Sequence, residues 1–281
     1  MEPLIVTVAG IGAEITREQQ PGLPITADEI AEDAAACEAS GACIYHLHVR
    51  TRAGAPTMDV GIFRAAFHAI QARTDLIVQF TSGGAVTDGE DVRIAPLALR
   101  PPMASLTTGT VNFGDEVFWN PMPLVVRFYT RMRELGIAPE FEIFEPGMLA
   151  NAERVYQEHG DGHHCHYDFV LGVPGAMPAW MDSVTFLAQH VPGDATWSAT
   201  GIGRSHPSVT EAAISLGGHV RTGFEDVRYL GPGEPARSNS QLVDRVVDAA
   251  RRTGRPLASP GEARELLGLM PGRGTLTGSS T

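Results

Sequence analysis

Two short segments, far apart in the chain, carry side chains suited to metal chemistry. Tyr45-His46-Leu47-His48-Val49-Arg50 sets two histidines one residue apart inside an apolar, β-branched run. Residues i and i+2 of a strand project from the same face, so both imidazoles can grip one ion. The second segment, Gly218-His219-Val220-Arg221-Thr222-Gly223-Phe224-Glu225-Asp226, offers Glu225 as a third ligand. Two neutral nitrogens and one carboxylate leave a coordination position open, the pattern of catalytic rather than structural zinc. A single histidine in a strand is usually a hydrogen-bonded core residue. Two at this spacing are harder to bury without a shared partner.

Arg221 has the same strand parity as Glu225, and Asp226 follows at once. A guanidinium beside Asp226 could polarise and orient it as a general base, although an ordinary structural ion pair is the plainer account. Two turns, Thr81-Ser82-Gly83-Gly84 and Thr107-Thr108-Gly109-Thr110, supply hydroxyl and backbone donors. Through Ser82, Gly83, Thr107 and Thr108 they could hold a carboxylate or a developing oxyanion, or simply form turns. Gly201-Ile202-Gly203-Arg204 is a glycine loop with a cation, a place for phosphate but a weak signal alone. The histidine-rich stretch from His159 to His166 is expected on the surface, away from the chemistry.

The elements that position these groups repeat along the chain. Apolar runs at Leu4–Ala9, Cys43–Val49, Leu76–Phe80, Met103–Thr107, Glu140–Phe144, Phe169–Val173, Thr196–Ala199 and His219–Phe224 are each followed by a helix-length segment. Eight β-then-α units of this kind predict a (β/α)8 TIM barrel, with a doubly wound open sheet as the competitor. In a barrel the chemistry gathers where strands end. Glu14 after the first strand and Glu142 on the fifth fall there, beside the histidines, Arg221, Glu225 and Asp226. Thr26-Ala27-Asp28-Glu29 and Ser259-Pro260-Gly261-Glu262 read as helix-opening capping boxes. Residues 1–270 are expected to form one catalytic barrel domain, and 271–281 a mobile tail.

Composition narrows the partners. The 281 residues carry 21 basic and 33 acidic side chains, a formal charge of −12, with no basic run. Nucleic acid is therefore not expected. The N-terminal apolar run is too short for export and no stretch could cross a bilayer, so no membrane partner is expected. Three cysteines at unpaired spacing point to free thiols and a reducing, cytoplasmic setting.

Taken in order, these motifs resemble the β-keto acid cleavage enzyme family from about Val6 to Leu269. Further landmarks are Gly12-Ala13-Glu14-Ile15-Thr16, Ala104-Ser105-Leu106-Thr107-Thr108-Gly109 and Phe169-Val170-Leu171-Gly172-Val173. The resemblance implies a zinc-dependent barrel that condenses a β-keto acid with acetyl-CoA, giving acetoacetate and a new acyl-CoA. It implies His46, His48 and Glu225 on zinc, and Arg221 with Asp226 as the dyad removing the α-proton. Ser82 and a threonine of Thr107-Thr108 would position intermediates. Glu14, joined by Glu142, would favour an amino-substituted substrate such as 3-keto-5-aminohexanoate. Members are commonly homotetramers. One departure is Thr51, where the family usually has aspartate. Two other readings stay open: a metal-dependent aldolase or lyase without acetyl-CoA, and a non-catalytic ligand- or metal-binding barrel.

Overall fold

The alternation of apolar runs and helices closes into a parallel eight-stranded barrel. A computed structural model of the chain describes residues 2–269, and the tail expected at 271–281 lies outside them. The strands are β1 (Val6–Ala9), β2 (Ile44–Leu47), β3 (Ile77–Phe80), β4 (Met103–Thr107), β5 (Ala138–Ile143), β6 (His166–Leu171), β7 (Thr196–Gly201) and β8 (His219–Thr222). They close in the order β1-β8-β7-β6-β5-β4-β3-β2. Around them run α1 (Ala27–Ser40), α2 (Val60–Gln71), the short α3 (Glu90–Ile94), α4 (Met122–Leu135), α5 (Pro146–His159), α6 (Met181–His190), α7 (His206–Leu216) and α8 (Asn239–Thr253). The open-sheet alternative is excluded, since β1 pairs with both β2 and β8.

Two strands begin earlier than the apolar runs suggest. β5 starts at Ala138 and β6 at His166, before Glu140 and Phe169. Apolar runs mark strands poorly here because the inward positions are polar: Glu140, Glu142, His166 and Asp168 are all buried. β2 also ends sooner, at Leu47. Val49–Arg50 leaves the barrel to pair antiparallel with Pro56–Thr57, which puts His48 on the rim.

Both expected capping boxes are present, Thr26 with Glu29 and Ser259 with Glu262. The second opens α9 (Pro260–Leu266). Its Ala263 and the following Leu267 pack on Ile5, Cys43, Ile44, Ile77 and Met103 and close the N-terminal end of the barrel. The three cysteines are buried and free. Among the described residues no helix is long and apolar enough to cross a membrane.

At the other end a buried polar knot fixes the loops after β1 and β8. Asn239, the first residue of α8, donates to the Gly10 carbonyl at 3.0 Å and accepts from the Phe224 N–H at 2.8 Å. It also donates to Asp33 of α1, which accepts from the Tyr45 hydroxyl, both at 2.9 Å. Burial pushes the Asp33 carboxyl up to about 6, despite these hydrogen bonds. A carboxyl raised above its unfolded value binds its proton more tightly when folded, so it costs stability as pH rises through that interval. Chemical denaturation of the protein and of Asp33→Asn, at about pH 4 and about pH 7, checks this. The variant is expected to gain about 2–3 kcal/mol on the parent between the two; equal pH dependence would show that Asp33 titrates normally.

Candidate active site

The interior register brings the two sequence segments together. β1 lies between β2 and β8, with Ala9 opposite His46 and Thr7 opposite Arg221. The His46 and His48 rings lie 5.3 Å apart between centroids. His46 Nε2 is 3.9 Å from Glu225 Oε1, and His48 Nε2 is 3.7 Å from Glu225 Oε2. One donor atom from each residue falls within a 4.8 Å group, and no other such group occurs among the described residues.

Glu225 reaches this place because of Gly223. β8 ends at Thr222, and Gly223 turns the chain at φ +142° against β1, where a Cβ would overlap the Ala9 carbonyl oxygen. Only glycine fits such a close approach with that dihedral. The Glu225 N–H then donates to Ala9 O at 3.1 Å. Arg50 ties the remaining loop, donating to Gly12 O at 2.7 Å and Gly54 O at 2.8 Å.

The donor chemistry fits a divalent cation. Burial, and then the nearby Arg221 charge, push His46 down to about 3, and burial likewise lowers His48. Both imidazoles are therefore neutral at physiological pH. His46 Nδ1 lies 2.6 Å from Gln79 Oε1, so this nitrogen carries the proton and Nε2 keeps its lone pair for the site. Burial alone would raise Glu225, but the Arg221 charge, foremost among the opposing causes, holds the carboxyl at about 2. Its Oε2 is buried without a hydrogen-bond partner.

Arg221 organises the acids. Its Nε donates to Asp226 Oδ2 at 3.0 Å and its Nη2 to Asp226 Oδ1 at 2.9 Å, and Nη2 also donates to Glu225. Its Nη1 is 3.4 Å from Glu142 Oε1 and 3.9 Å from Asp168 Oδ2. Against the pull of Arg221, burial pushes Asp226 and Glu142 each up to about 7. Asp168 is raised by burial too, and Ser198 and Thr200 hold it in place.

Of the residues singled out from the sequence, Glu14, His46, His48, Gly83, Glu142, Arg221, Glu225 and Asp226 line one cavity of about 110 Å³. Ser82, Thr107 and Thr108 do not. The Ser82 hydroxyl donates to Ser105 O at 2.6 Å, and Thr81 faces the cavity in its place. Thr108 is turned outward onto Met148 O. Thr107 points inward, its hydroxyl donating to Glu142 Oε2 at 2.7 Å, so it orients an acid and does not line the cavity. Glu142, with Thr107 and Arg221 on its two oxygens, is less free for a substrate cation than expected. Glu14 stands exposed on the rim, its carboxyl raised by partial burial and by the charge of Glu116.

The histidine-rich stretch needs correction. It does sit at the opposite end of the barrel, but it is not wholly superficial. Cys165 is buried, and His166 begins β6 inside the barrel, 3.4 Å from Glu140. It forms no ligand group. Sequence reading also missed Gln79, Asp168 and Arg50. A glutamine or aspartate within an apolar strand was the available signal; their partners depend on inter-strand register.

Residues 3–269 match the family model described as beta-keto acid cleavage enzyme. The chain belongs to this family. The beta-keto acid cleavage enzyme family is enzymatic, so the passive-barrel reading falls away. The 3-keto-5-aminohexanoate cleavage enzyme of Fusobacterium nucleatum is 42% identical over 271 residues, 96% of this chain and 99% of that one. The 3-oxoadipate:acetyl-CoA acetyltransferase of Cupriavidus necator is 36% identical, over 95% of each chain. Among solved structures, the ternary complex of ObcA with C4-CoA adduct and oxalate has a TM-score of 0.74 at 18% identity. It covers 89% of this chain and 68% of that chain, a likeness of fold alone.

If Gln79 fixes the His46 tautomer, Gln79→Leu is expected to weaken Zn²⁺ binding about 10- to 100-fold in competition with a chelating dye. Unchanged affinity would make the 2.6 Å contact incidental.

Proposed function

We propose that the protein is a zinc-dependent β-keto acid cleavage enzyme that uses acetyl-CoA and takes an amino-substituted β-keto acid such as 3-keto-5-aminohexanoate. The observation that carries the reaction type is Asp226, held by both Nε and Nη2 of Arg221 beside the His46–His48–Glu225 triad. The family names on its relatives supply the acetyl-CoA half of the reading.

A divalent ion held by His46, His48 and Glu225 would supply Lewis acidity to the oxygens of the β-keto acid. The chain's own residues do the rest. Asp226 takes the proton from the carbon between the two carbonyl-type groups. Its burial and its raised proton affinity suit a base that must operate near neutral pH. Arg221 keeps the carboxylate aligned and receives the charge change through two hydrogen bonds. The resulting carbanion attacks the thioester carbon of acetyl-CoA and the coenzyme A thiolate leaves. The thiolate then adds to the original keto carbonyl and the carbon–carbon bond breaks, leaving acetoacetate as its α-carbanion; protonated Asp226 returns the proton to that carbon, and acetoacetate departs with the new acyl-CoA in place. Thr107 holds Glu142 against Arg221 throughout. Phe113, Phe118 and Phe144 line the same cavity and limit water around the carbanion.

Substrate choice rests on the rim. Glu14 lines the cavity mouth, and partial burial, then the like charge of Glu116, raises its carboxyl. An acid at the mouth, with a second acidic charge acting on it, favours a cationic substituent there and disfavours a second carboxylate. The protein with Zn²⁺ is expected to turn over 3-keto-5-aminohexanoate with acetyl-CoA at least about 100-fold more efficiently than 3-oxoadipate, a preference of about 3 kcal/mol. Glu14→Gln is expected to lower that preference about 10-fold. Asp226→Asn is expected to lower kcat about 10²- to 10⁴-fold. Turnover without acetyl-CoA, or a preference for 3-oxoadipate, would contradict the assignment.

A further inference from the structure

The hydrogen on His46 Nδ1 is where the triad meets the barrel interior. A glutamine amide has an acceptor end and a donor end. Gln79 can keep its oxygen on His46 Nδ1, at 2.6 Å, only while its NH₂ group has an acceptor on the other side. Turned end for end, the amide would donate to Nδ1. The ring hydrogen would then sit on Nε2, the nitrogen that faces Glu225 and must be bare to ligate.

The acceptor on the far side is Glu140. Gln79 on β3 and Glu140 on β5 both turn into the barrel and are buried, as side chains of alternate strands do when they share an interior layer. The Gln79 amide acts on the Glu140 carboxyl as a hydrogen-bond donor, although neither Gln79 Nε2 nor Glu140 Oε1 completes a bond of ordinary geometry. Glu140 Oε2 lies 3.4 Å from Nε2 of His166, its opposite on β6. His166 Nδ1 lies 2.8 Å from the hydroxyl of Thr196, its opposite on β7. The same hydroxyl lies 2.9 Å from His164 Nε2. A row of polar side chains thus runs from His46 to the half-buried His164 at the other end of the barrel.

With His46 Nδ1 as donor, hydrogens fit along this row in one direction only. Burial, then the charge of Asp168, pushes the Glu140 carboxyl well above its ordinary range, so it is a neutral acid with one donor oxygen and one acceptor oxygen. Burial pushes His166 down to about 3, so its ring is neutral and has one donor nitrogen. The Gln79 NH₂ group must meet the Glu140 oxygen that bears no hydrogen. The Glu140 hydroxyl then points to His166 Nε2, His166 Nδ1–H to Thr196, and the Thr196 hydroxyl to His164. Reversing one member alone would set two hydrogens against each other in one contact. We propose that Glu140 and His166 are positioning residues that hold the Gln79 amide, and through it the His46 tautomer, in the arrangement that binds metal. The proposal rests on the metal reading above and gives a task to the buried end of the histidine-rich stretch.

Nitrogen NMR of the metal-free protein with isotope-labelled histidine, at about pH 7, reads which ring nitrogen carries the hydrogen. His46 and His166 are both expected to carry it on Nδ1. Glu140→Gln keeps an acceptor oxygen for Gln79 and a donor for His166. It is expected to preserve the His46 tautomer and to bind Zn²⁺ within about 2-fold of the parent in competition with a chelating dye. Glu140→Leu removes the acceptor, so it is expected to populate the Nε2–H form of His46 and weaken Zn²⁺ about 10-fold. His166→Leu frees the Glu140 hydroxyl to turn toward Gln79 and is expected to do the same, which carries the test if Glu140→Leu does not fold. A parent His46 with its hydrogen on Nε2, Leu variants that keep the parent tautomer, or a Glu140→Gln that loses as much as Glu140→Leu would each overturn the proposal. The two claims fail separately. Tautomers that depend on Glu140 in a protein that takes up no Zn²⁺ would sink the metal reading and leave the positioning roles standing. Zn²⁺ binding with a His46 tautomer indifferent to Glu140 would sink the positioning roles alone.

Discussion

The barrel interior holds more negative charge than one arginine can neutralise. Glu142, Asp168, Glu225 and Asp226 surround the Arg221 guanidinium, all within 3.9 Å of it or hydrogen-bonded to it. Each carboxylate is buried deeply enough that ionising it is costly without a partner. The two neighbouring histidines stay neutral and cannot help. The cluster therefore distributes its protons unevenly: Glu225 remains ionised, while Glu142, Asp168 and Asp226 are pushed toward the protonated form. A divalent ion against the unpartnered Glu225 oxygen would ease the excess and free Asp226 to cycle between its two states. The unequal acids and the proposed ion belong to one electrostatic arrangement.

Holding that arrangement is the work of three loops, not of any long element. Gly223 lets the β8 loop pass against Ala9 and brings Glu225 to the histidines. Asn239 locks the loops after β1 and β8 to α1 through Asp33. Arg50 clamps the β1 and β2 loops together from the side. The strands supply a fixed register beneath, with His46 opposite Gln79 and Glu142 opposite Asp168. Polar contacts of this kind are costly when half made, so the loops are strongly specified.

Much of this was legible in the sequence, and the reasons differ by residue. The His-x-His spacing needs only strand parity, which the β-branched run supplies, so the pairing of His46 with His48 could be foreseen. Glu225 and Arg221 required knowing that the eighth strand neighbours the first, a consequence of barrel closure. A turn hydroxyl can satisfy itself locally, as Ser82 does on Ser105 and Thr108 on Met148, and a sequence pattern does not show which hydroxyl will do so. The early starts of β5 and β6 were hidden by their inward acids and histidine. Gln79 and Asp168 were overlooked because their meaning lies in what stands opposite, which spacing along one strand does not reveal.

The claim on which the account turns is that His46, His48 and Glu225 hold one divalent cation. Anomalous diffraction from crystals of the Zn²⁺-loaded protein, collected on both sides of the zinc edge, tests it directly. A single peak is expected about 2.0–2.2 Å from a nitrogen of each histidine and an oxygen of Glu225. A peak elsewhere, or none at this triad with zinc in excess, would contradict it.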